Sequence, residues 1–528
     1  MRILSAVLHP VLFAVFPILF LLAHNLDTFR LDAARVPCAA AAVGALSVWG
    51  IVAAITRDAR AAGLQVSLFL LFFFSFEHVR RLGIAAGIPA TAAGVAVGIA
   101  LLLLLGLAVF LLVRSRADLR PATRAFNTAA ALLVGMSLGR IANHELRARV
   151  PALEPNTTLS DTRVYAARAR RDLPDVYYIV LDGYGRQDVL LERFGHDNGE
   201  LLRYLEAKGF FVARRARANY SQTALSLAAT LNMDYVQRLL PGMRGRRDLA
   251  PLERLIQENR VFQQLRDLGY KVVTFPTASD ITRLERRDVH FDGSTRNEFE
   301  TGLLSLTPLP FVARLVGARD NAILDPYEAH RRSVLFKFEK IMDLSELSRP
   351  IVVFAHFLSP HPPFVFGADG QRVEPASPFS IRERDHAAGY VEGYAAQLRF
   401  VDRKLRELVD AILERSSPRP IIVIQGDHGP ASAWLQFWQR NHRWNTRDPQ
   451  VYRERLSVLN AIHLSGREDS PFYDGVSLVN TFRLILNHDF GGRLAPLPDE
   501  SFFSEYDAPY GFSNVTRLLD RAEAAASE

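Results

Sequence analysis

Cysteine is nearly missing from this chain: Cys38 is the single one in 528 residues. It lies inside an apolar run, so the chain can form no internal disulfide, and no thiolate outside that run is on hand for a metal. Any part that folds in water must be held together by its own core, and the ~350 residues beyond the apolar region are enough for one. Charge is missing just as selectively. No Asp, Glu, Lys or Arg occurs in residues 4–23, 36–56, 64–76 or 82–113. Charge-free stretches of ~18 or more residues indicate membrane-spanning helices. The 64–76 run is short for a span but dense in Leu and Phe. A fifth run, "AFNTAAALLVGMSLGRIA" at 125–142, is interrupted by Arg140. The first run could instead be a signal peptide, but no small-x-small cleavage site follows it and further apolar runs do.

Arginine flanks these runs unevenly. With the N-terminus inside, Arg2, Arg57, Arg60, Arg114, Arg116, Arg120 and Arg124 fall in inner loops, and Arg30, Arg35, Arg80 and Arg81 in outer ones. The positive-inside bias then puts everything after residue ~145 on the outer face of a bacterial inner membrane. The net charge of +7 suits work against anionic headgroups. Much of it is membrane-flanking arginine, so nucleic-acid binding is not indicated.

Three regions follow: transmembrane helices over 1–145, a polar linker over 146–173, and an extracytoplasmic domain over 174–528. In the last, short apolar runs alternate with helical stretches. "DVYYIVLDGYG" indicates a strand, and "HDNGELLRYLEAKGFFVARRA" a helix, a stop at Gly209 and a strand. "LERLIQENRVFQQLRDLGYKVVTFPT" repeats that plan. "RPIVVFAHFLSPHPPF" and "RPIIVIQGDHGP" are two further strands, the second after a helix around 387–414. Near-continuous apolar strands separated by helices give an α/β domain with a mostly parallel sheet covered on both faces.

Several of these strands end in chemistry-bearing residues. Asp182 follows "VYYIVL", His356 and His361 come with "IVVFAHFLSPHPPF", and Asp427 and His428 end "IIVIQGDHG". The Gly426–Gly429 stretch can be a plain turn, since Gly and Asp are ordinary turn residues. It can also be a metal site, because open α/β sheets gather ligands at their carboxyl ends. Thr223 opens the small-residue run "TALSLAATLNM"; such a hydroxyl is commonly only a helix cap. The same position also favours a phosphate, held by free N–H groups and the helix dipole.

"LDGYG", "SQTALSL", "SPHPPF" and "GDHG" occur in the order seen in the alkaline phosphatase and sulfatase superfamily. Within it, the chain resembles membrane-anchored lipid-headgroup transferases of the phosphoethanolamine and phosphoglycerol types. The resemblance implies a sulfatase-like enzyme with a divalent metal, zinc or manganese, held by Asp182, Thr223, Asp427 and His428. Thr223 would also be the nucleophile, and His361 would bind the substrate phosphate and serve in catalysis. His442 in "QRNHRW" and, less directly, His356 would be further substrate-binding histidines. Asn480 and Arg483 read as packing residues. The implied partners are a phospholipid donor, an envelope glycan or lipid acceptor, and the membrane.

Two features depart from that family pattern. The first ligand position holds Asp182, where many such transferases carry Glu, and the disulfides common in the phosphoethanolamine branch cannot form. True sulfatase chemistry needs an oxidisable Cys or Ser in a C/S-x-P-x-R setting, whereas the sequence here is Thr223-Ala224-Leu225-Ser226-Leu227. Three activities are compatible with these residues. They are headgroup transfer through a phospho-threonine, a membrane-tethered phosphodiesterase or phosphatase, and an inactive scaffold.

Overall fold

A computed structural model describes residues 2–26, 29, 31–114, 117–148, 173–277, 280–293, 298–318, 320–373, 379–441, 448–466 and 470–527. The linker expected at 146–173 therefore lies almost entirely outside the described residues. The chain folds as two units, and neither is one continuous stretch of sequence.

The first unit is built on five helices: α1 (Arg2–Ala23), α2 (Arg35–Thr56), α3 (Ala59–Ala85), α4 (Ala90–Arg114) and α5 (Arg120–Ala148). All five are long and apolar enough to cross a membrane. The short third run is extended by buried, paired charge. Glu77 accepts from Arg80 at 2.7 and 2.9 Å and from Arg81 at 3.1 Å, so that turn is not an uncompensated anion. Arg140 stands exposed about two turns before the C-terminal end of α5. Residues 298–329, far along the chain, belong to this unit as well.

The second unit is the α/β domain. Its sheet contains β1 (Val176–Leu181), β2 (Phe211–Val212), β3 (Lys271–Thr274), β4 (Val289–His290), β5 (Ile351–Phe357), β6 (Ile421–Gly426) and β7 (Asn460–His463), in the order β2-β7-β6-β1-β5-β3-β4. The pairs β6–β1, β1–β5, β5–β3 and β3–β4 are parallel, and β7 runs antiparallel to both its neighbours. Every residue of β1, β5 and β6 is buried, as expected for strands covered on both faces. The expected helix before β3 is in fact two, Ala250–Gln257 and Arg260–Asp267. Asn259 breaks it by capping the second: its side chain accepts from Phe262 N–H and donates to the Ile256 carbonyl.

The three central strands carry the chemistry-bearing ends. Leu181 is level with Phe357 on one side and with Gly426 on the other. Asp182 and Asp427 therefore leave the sheet side by side, although they are far apart in sequence. Asn480 and Arg483 are packing residues. Asn480 binds Leu497 and Asp499, while Arg483 donates to the carbonyls of Ala495 and Met233.

Candidate active site

The glycines around Asp427 and His428 are set by crowding. A Cβ on Gly426 would sit 2.3 Å from the Tyr184 carbonyl oxygen, and one on Gly429 would sit 2.0 Å from that of Glu454. Only glycine lets the backbone pass this close. The β6 end is thus pressed between the β1 loop and the helix Pro449–Leu456. Asp427 Oδ1 accepts from Gly183 N–H at 3.1 Å, and Ser226 Oγ donates to the Asp427 carbonyl at 2.7 Å. These bonds tie the β1 turn, the β6 turn and the helix Thr223–Asn232 together.

Thr223 is the first residue of that helix, after Gln222 at the cap position. Its hydroxyl does not serve as a cap. It points to His428, with Oγ1 3.2 Å from Nε2. His428 Nδ1 lies 3.0 Å from the Gly429 carbonyl and must be the protonated nitrogen of the neutral ring, which leaves the Nε2 lone pair facing Thr223. Burial and the neighbouring Arg455 lower the His428 pKa, so the ring is neutral at pH 7. Nε2 also lies 3.4 Å from Asp182 Oδ1 and 3.6 Å from Asp427 Oδ2.

Asp182, His356 and Asp427 each offer one ligand atom, all within 4.8 Å of one another and all on buried residues. His356 Nε2 is 3.3 Å from Asp182 Oδ2. Among the described residues, Asp182 Oδ1, His356 Nε2 and Asp427 Oδ2 are buried without a hydrogen-bond partner. Orphaned atoms of this kind are costly unless something else binds them. Oxygen and imidazole donors in this number fit a divalent cation, so the site passes the test for one. Burial alone would raise the Asp182 pKa. His361 and His356 beside it more than reverse that and hold it below the ordinary carboxylate range. His356 is fixed at both ends: Nδ1 is 3.0 Å from Thr282 Oγ1, and the carbonyl accepts from buried Lys337 Nζ at 2.8 Å. Burial pushes the Lys337 ammonium down to about 7.

His361 is brought alongside by its backbone N–H, which donates to the Asp182 carbonyl at 3.0 Å. Its Nδ1 donates to the Pro362 carbonyl at 2.6 Å, and Nε2 lies 3.7 Å from Glu383 Oε1. The structure thus gathers Asp182, Thr223, His356, His361, Asp427 and His428 at one sheet edge. His356, expected beside the substrate, stands among the carboxylates. His442 lies outside the described residues.

Arg455 is the residue that sequence reading missed. It is buried on the helix Pro449–Leu456, and its Nη1 donates to Glu383 at 2.6 Å and to the Gly429 carbonyl at 3.0 Å. Nε donates to the Ser221 carbonyl, while Nη2 donates to Tyr506 and lies 3.3 Å from His428 Nε2. The guanidinium also lies over the Trp434 ring, 5.8 Å from its centroid. Glu383 holds it charged, and in return Arg455 brings the Glu383 pKa below its ordinary value despite burial. A fixed guanidinium beside the candidate nucleophile is a preorganised partner for phosphoryl oxygens. Arg455→Lys keeps the charge but loses the fork, and kcat/KM is expected to fall roughly a hundredfold. Near-wild-type turnover of a folded Arg455→Lys protein would leave Arg455 only a partner for Glu383.

Fold and site together define a membrane-anchored α/β enzyme with a buried carboxylate–imidazole centre at the carboxyl edge of its sheet. The sulfatase family model matches residues 174–482, and the chain belongs to that family, within the alkaline phosphatase and sulfatase superfamily. It is a sulfatase-like enzyme. A search of curated proteins returned no match. Among solved structures, it is similar to the C-terminal periplasmic domain of EptC from Escherichia coli, in complex with Zn. The identity is 11%, over 69% of this chain and 98% of that one, at a TM-score of 0.43. It is also similar to the integral membrane lipooligosaccharide phosphoethanolamine transferase A from Neisseria meningitidis. There the identity is 15%, over 84% of this chain and 72% of that one, at a TM-score of 0.39.

Proposed function

We propose that this enzyme moves a phospholipid headgroup, phosphoethanolamine or glycerophosphate, onto a cell-envelope glycan or lipid, through an intermediate on Thr223. The observation that carries the reading is the Thr223 hydroxyl, 3.2 Å from His428 Nε2 at a helix start, beside Arg455 and the orphaned carboxylates. Asp182, Asp427, His428 and Thr223, joined by His356, would hold the divalent cation, zinc or manganese. When bound, such an ion lowers the pKa of a coordinated hydroxyl and offsets charge on phosphoryl oxygens.

The residues then divide the work. Thr223 Oγ1, half-buried, gives its proton to solvent and attacks phosphorus, and the bond from phosphorus to the diacylglycerol oxygen breaks. His361 Nε2, when protonated, gives its proton to that leaving oxygen. Arg455 sets its positive charge beside the phosphoryl oxygens throughout. An acceptor hydroxyl then attacks phosphorus from the side the diacylglycerol left, its proton passes to the His361 Nε2 emptied in the first step, and the bond from phosphorus to Thr223 Oγ1 breaks. Five helices are more than a tether needs, which favours a lipid donor over a soluble one. The proposed layout puts 1–145 in the bacterial inner membrane, 146–173 as linker and the 174–528 domain outside. An alkaline-phosphatase reporter fused near residue 160 is expected to be active, and an inactive one would place the domain inside.

The full-length protein in vesicles containing phosphatidylethanolamine and phosphatidylglycerol is expected to release diacylglycerol. Mass analysis of a trapped sample should show headgroup phosphate on the peptide holding Thr223. Hydrolysis of a soluble p-nitrophenyl phosphodiester with no diacylglycerol release would instead make it a phosphodiesterase.

A further inference from the structure

The stretch 298–329 is inserted between β4 and β5, yet it packs with the membrane-spanning helices. Its first helix, Glu298–Ser305, sends the fully buried Phe299 edge-on against Phe29, with ring centroids 5.3 Å apart. Phe299 shares a buried cluster with Ile18 and Leu22 of α1 and Ile141 of α5. Its second helix, Leu309–Leu315, is pinned by Phe311, whose ring centroid is 5.5 Å from that of Phe76 on α3. A Cβ on Gly94 of α4 would sit 2.2 Å from the same ring, so that glycine makes the notch.

These contacts fall at one end of the bundle. They use the C-terminal parts of α1, α3 and α5 and the N-terminal part of α4. Gly94 is roughly 6 Å and Phe76 roughly 14 Å along the axis from their own helix ends, at 1.5 Å per residue. If α3 and α4 span a bilayer, the second insert helix is held at the depth where headgroups meet acyl chains. The surface it leaves open is apolar. Leu309, Val312, Leu315 and Val316 are 39%, 45%, 59% and 70% exposed. The first three recur at intervals of three, which puts them on one helix face. The only charge between Leu306 and Ala318 is Arg314, a cation.

We propose that this insert is a membrane-interface element: the face made by Leu309, Val312, Leu315 and Val316 lies in the lipid leaflet at that end of the bundle. The occupant is lipid rather than a second protein because the face lies at bilayer depth by its anchors. Burial of apolar side chains at the acyl boundary is what favours such helices there. The inference is independent of the headgroup reaction proposed above.

A single labelled cysteine in the full-length protein tests it. In a Cys38→Ala background, Leu315→Cys carries an environment-sensitive fluorophore, with the exposed polar position Asn321→Cys as the comparison. The protein is placed in vesicles of phosphatidylethanolamine and phosphatidylglycerol. Emission at Leu315 is expected to be blue-shifted, quenched by lipids brominated high on the acyl chain, and several-fold less quenched by aqueous iodide than at Asn321. Equal iodide quenching at both sites would overturn the proposal. Quenching by neither agent would also overturn it, because protein would then cover the face. Val312→Cys gives the same reading if Leu315→Cys does not fold.

Discussion

Thr223→Ala is expected to lower turnover by roughly 10⁴–10⁶-fold, the range found when single members of a hydrolase's catalytic set are deleted. The structure gives this variant little reason to unfold. Thr223 is only half-buried, and Gln222 rather than Thr223 occupies the cap position. The change removes one hydroxyl and one methyl at a partly open site, so stability should stay within about 1 kcal/mol of wild type. Thr223→Ser retains the hydroxyl, with more freedom to rotate, and should keep measurable activity. Ser221 is the informative neighbour. Its Oγ is buried without a partner among the described residues, while its carbonyl accepts from Arg455. Ser221→Ala should therefore be mild. A dead Ser221→Ala beside an active Thr223→Ala would show that the wrong hydroxyl has been assigned.

Removal of the divalent cation should be almost as damaging. Purified full-length protein is expected to carry about one zinc or manganese ion per chain, since each missing ligand weakens such a site severely. Chelation should abolish activity, and either ion should restore some of it. Asp427→Ala should bind at least roughly a hundredfold more weakly, because loss of mere supporting partners already costs 10- to 100-fold. A second readout does not involve activity. A ligand that binds only the native state raises its stability by about 2.7 kcal/mol at a hundred times Kd. Chelation should thus lower the unfolding midpoint of wild type by several degrees and leave that of Asp427→Ala unmoved. His356→Ala decides whether that histidine belongs to the set: normal metal content would return it to a supporting role. Full activity of metal-free wild type would exclude the site.

Much of this was written in local sequence. Charge-free runs mark helices because no side chain within them would be costly in hydrocarbon, and α5 is long and apolar enough to fit that pattern despite Arg140. Apolar runs ending in Asp182, His356 and Asp427 mark buried strands with functional ends, since a sheet covered on both faces leaves its polar residues to the edges. Order and type were legible because each depends on a few neighbouring residues.

Arg455 was not legible for the opposite reason. Arg453, Glu454 and Arg455 are three consecutive charges, which in isolation look like a solvated face, yet all three are buried. Arg453 is matched by Asp188 and Glu192, and Glu454 by Arg193, Ser432 and the Ala433 N–H. Those partners are distant in sequence. No periodicity within "PQVYRERL" could show that this helix is enclosed on every side.

The sequence by itself determined the class: helices that suit a bilayer, an α/β domain after them, and a set of oxygen and imidazole donors in superfamily order. Tertiary structure alone decided which of those donors meet. The strand order β6-β1-β5 sets Asp427, Asp182 and His356 next to one another, and the glycines at 426 and 429 let the loops close over them. It also decided that residues 298–329 join the membrane helices, through Phe299 and Phe311. Composition and spacing act along the chain, but ligand convergence and the choice of packing partner are fixed by contacts between segments that only the folded chain brings together.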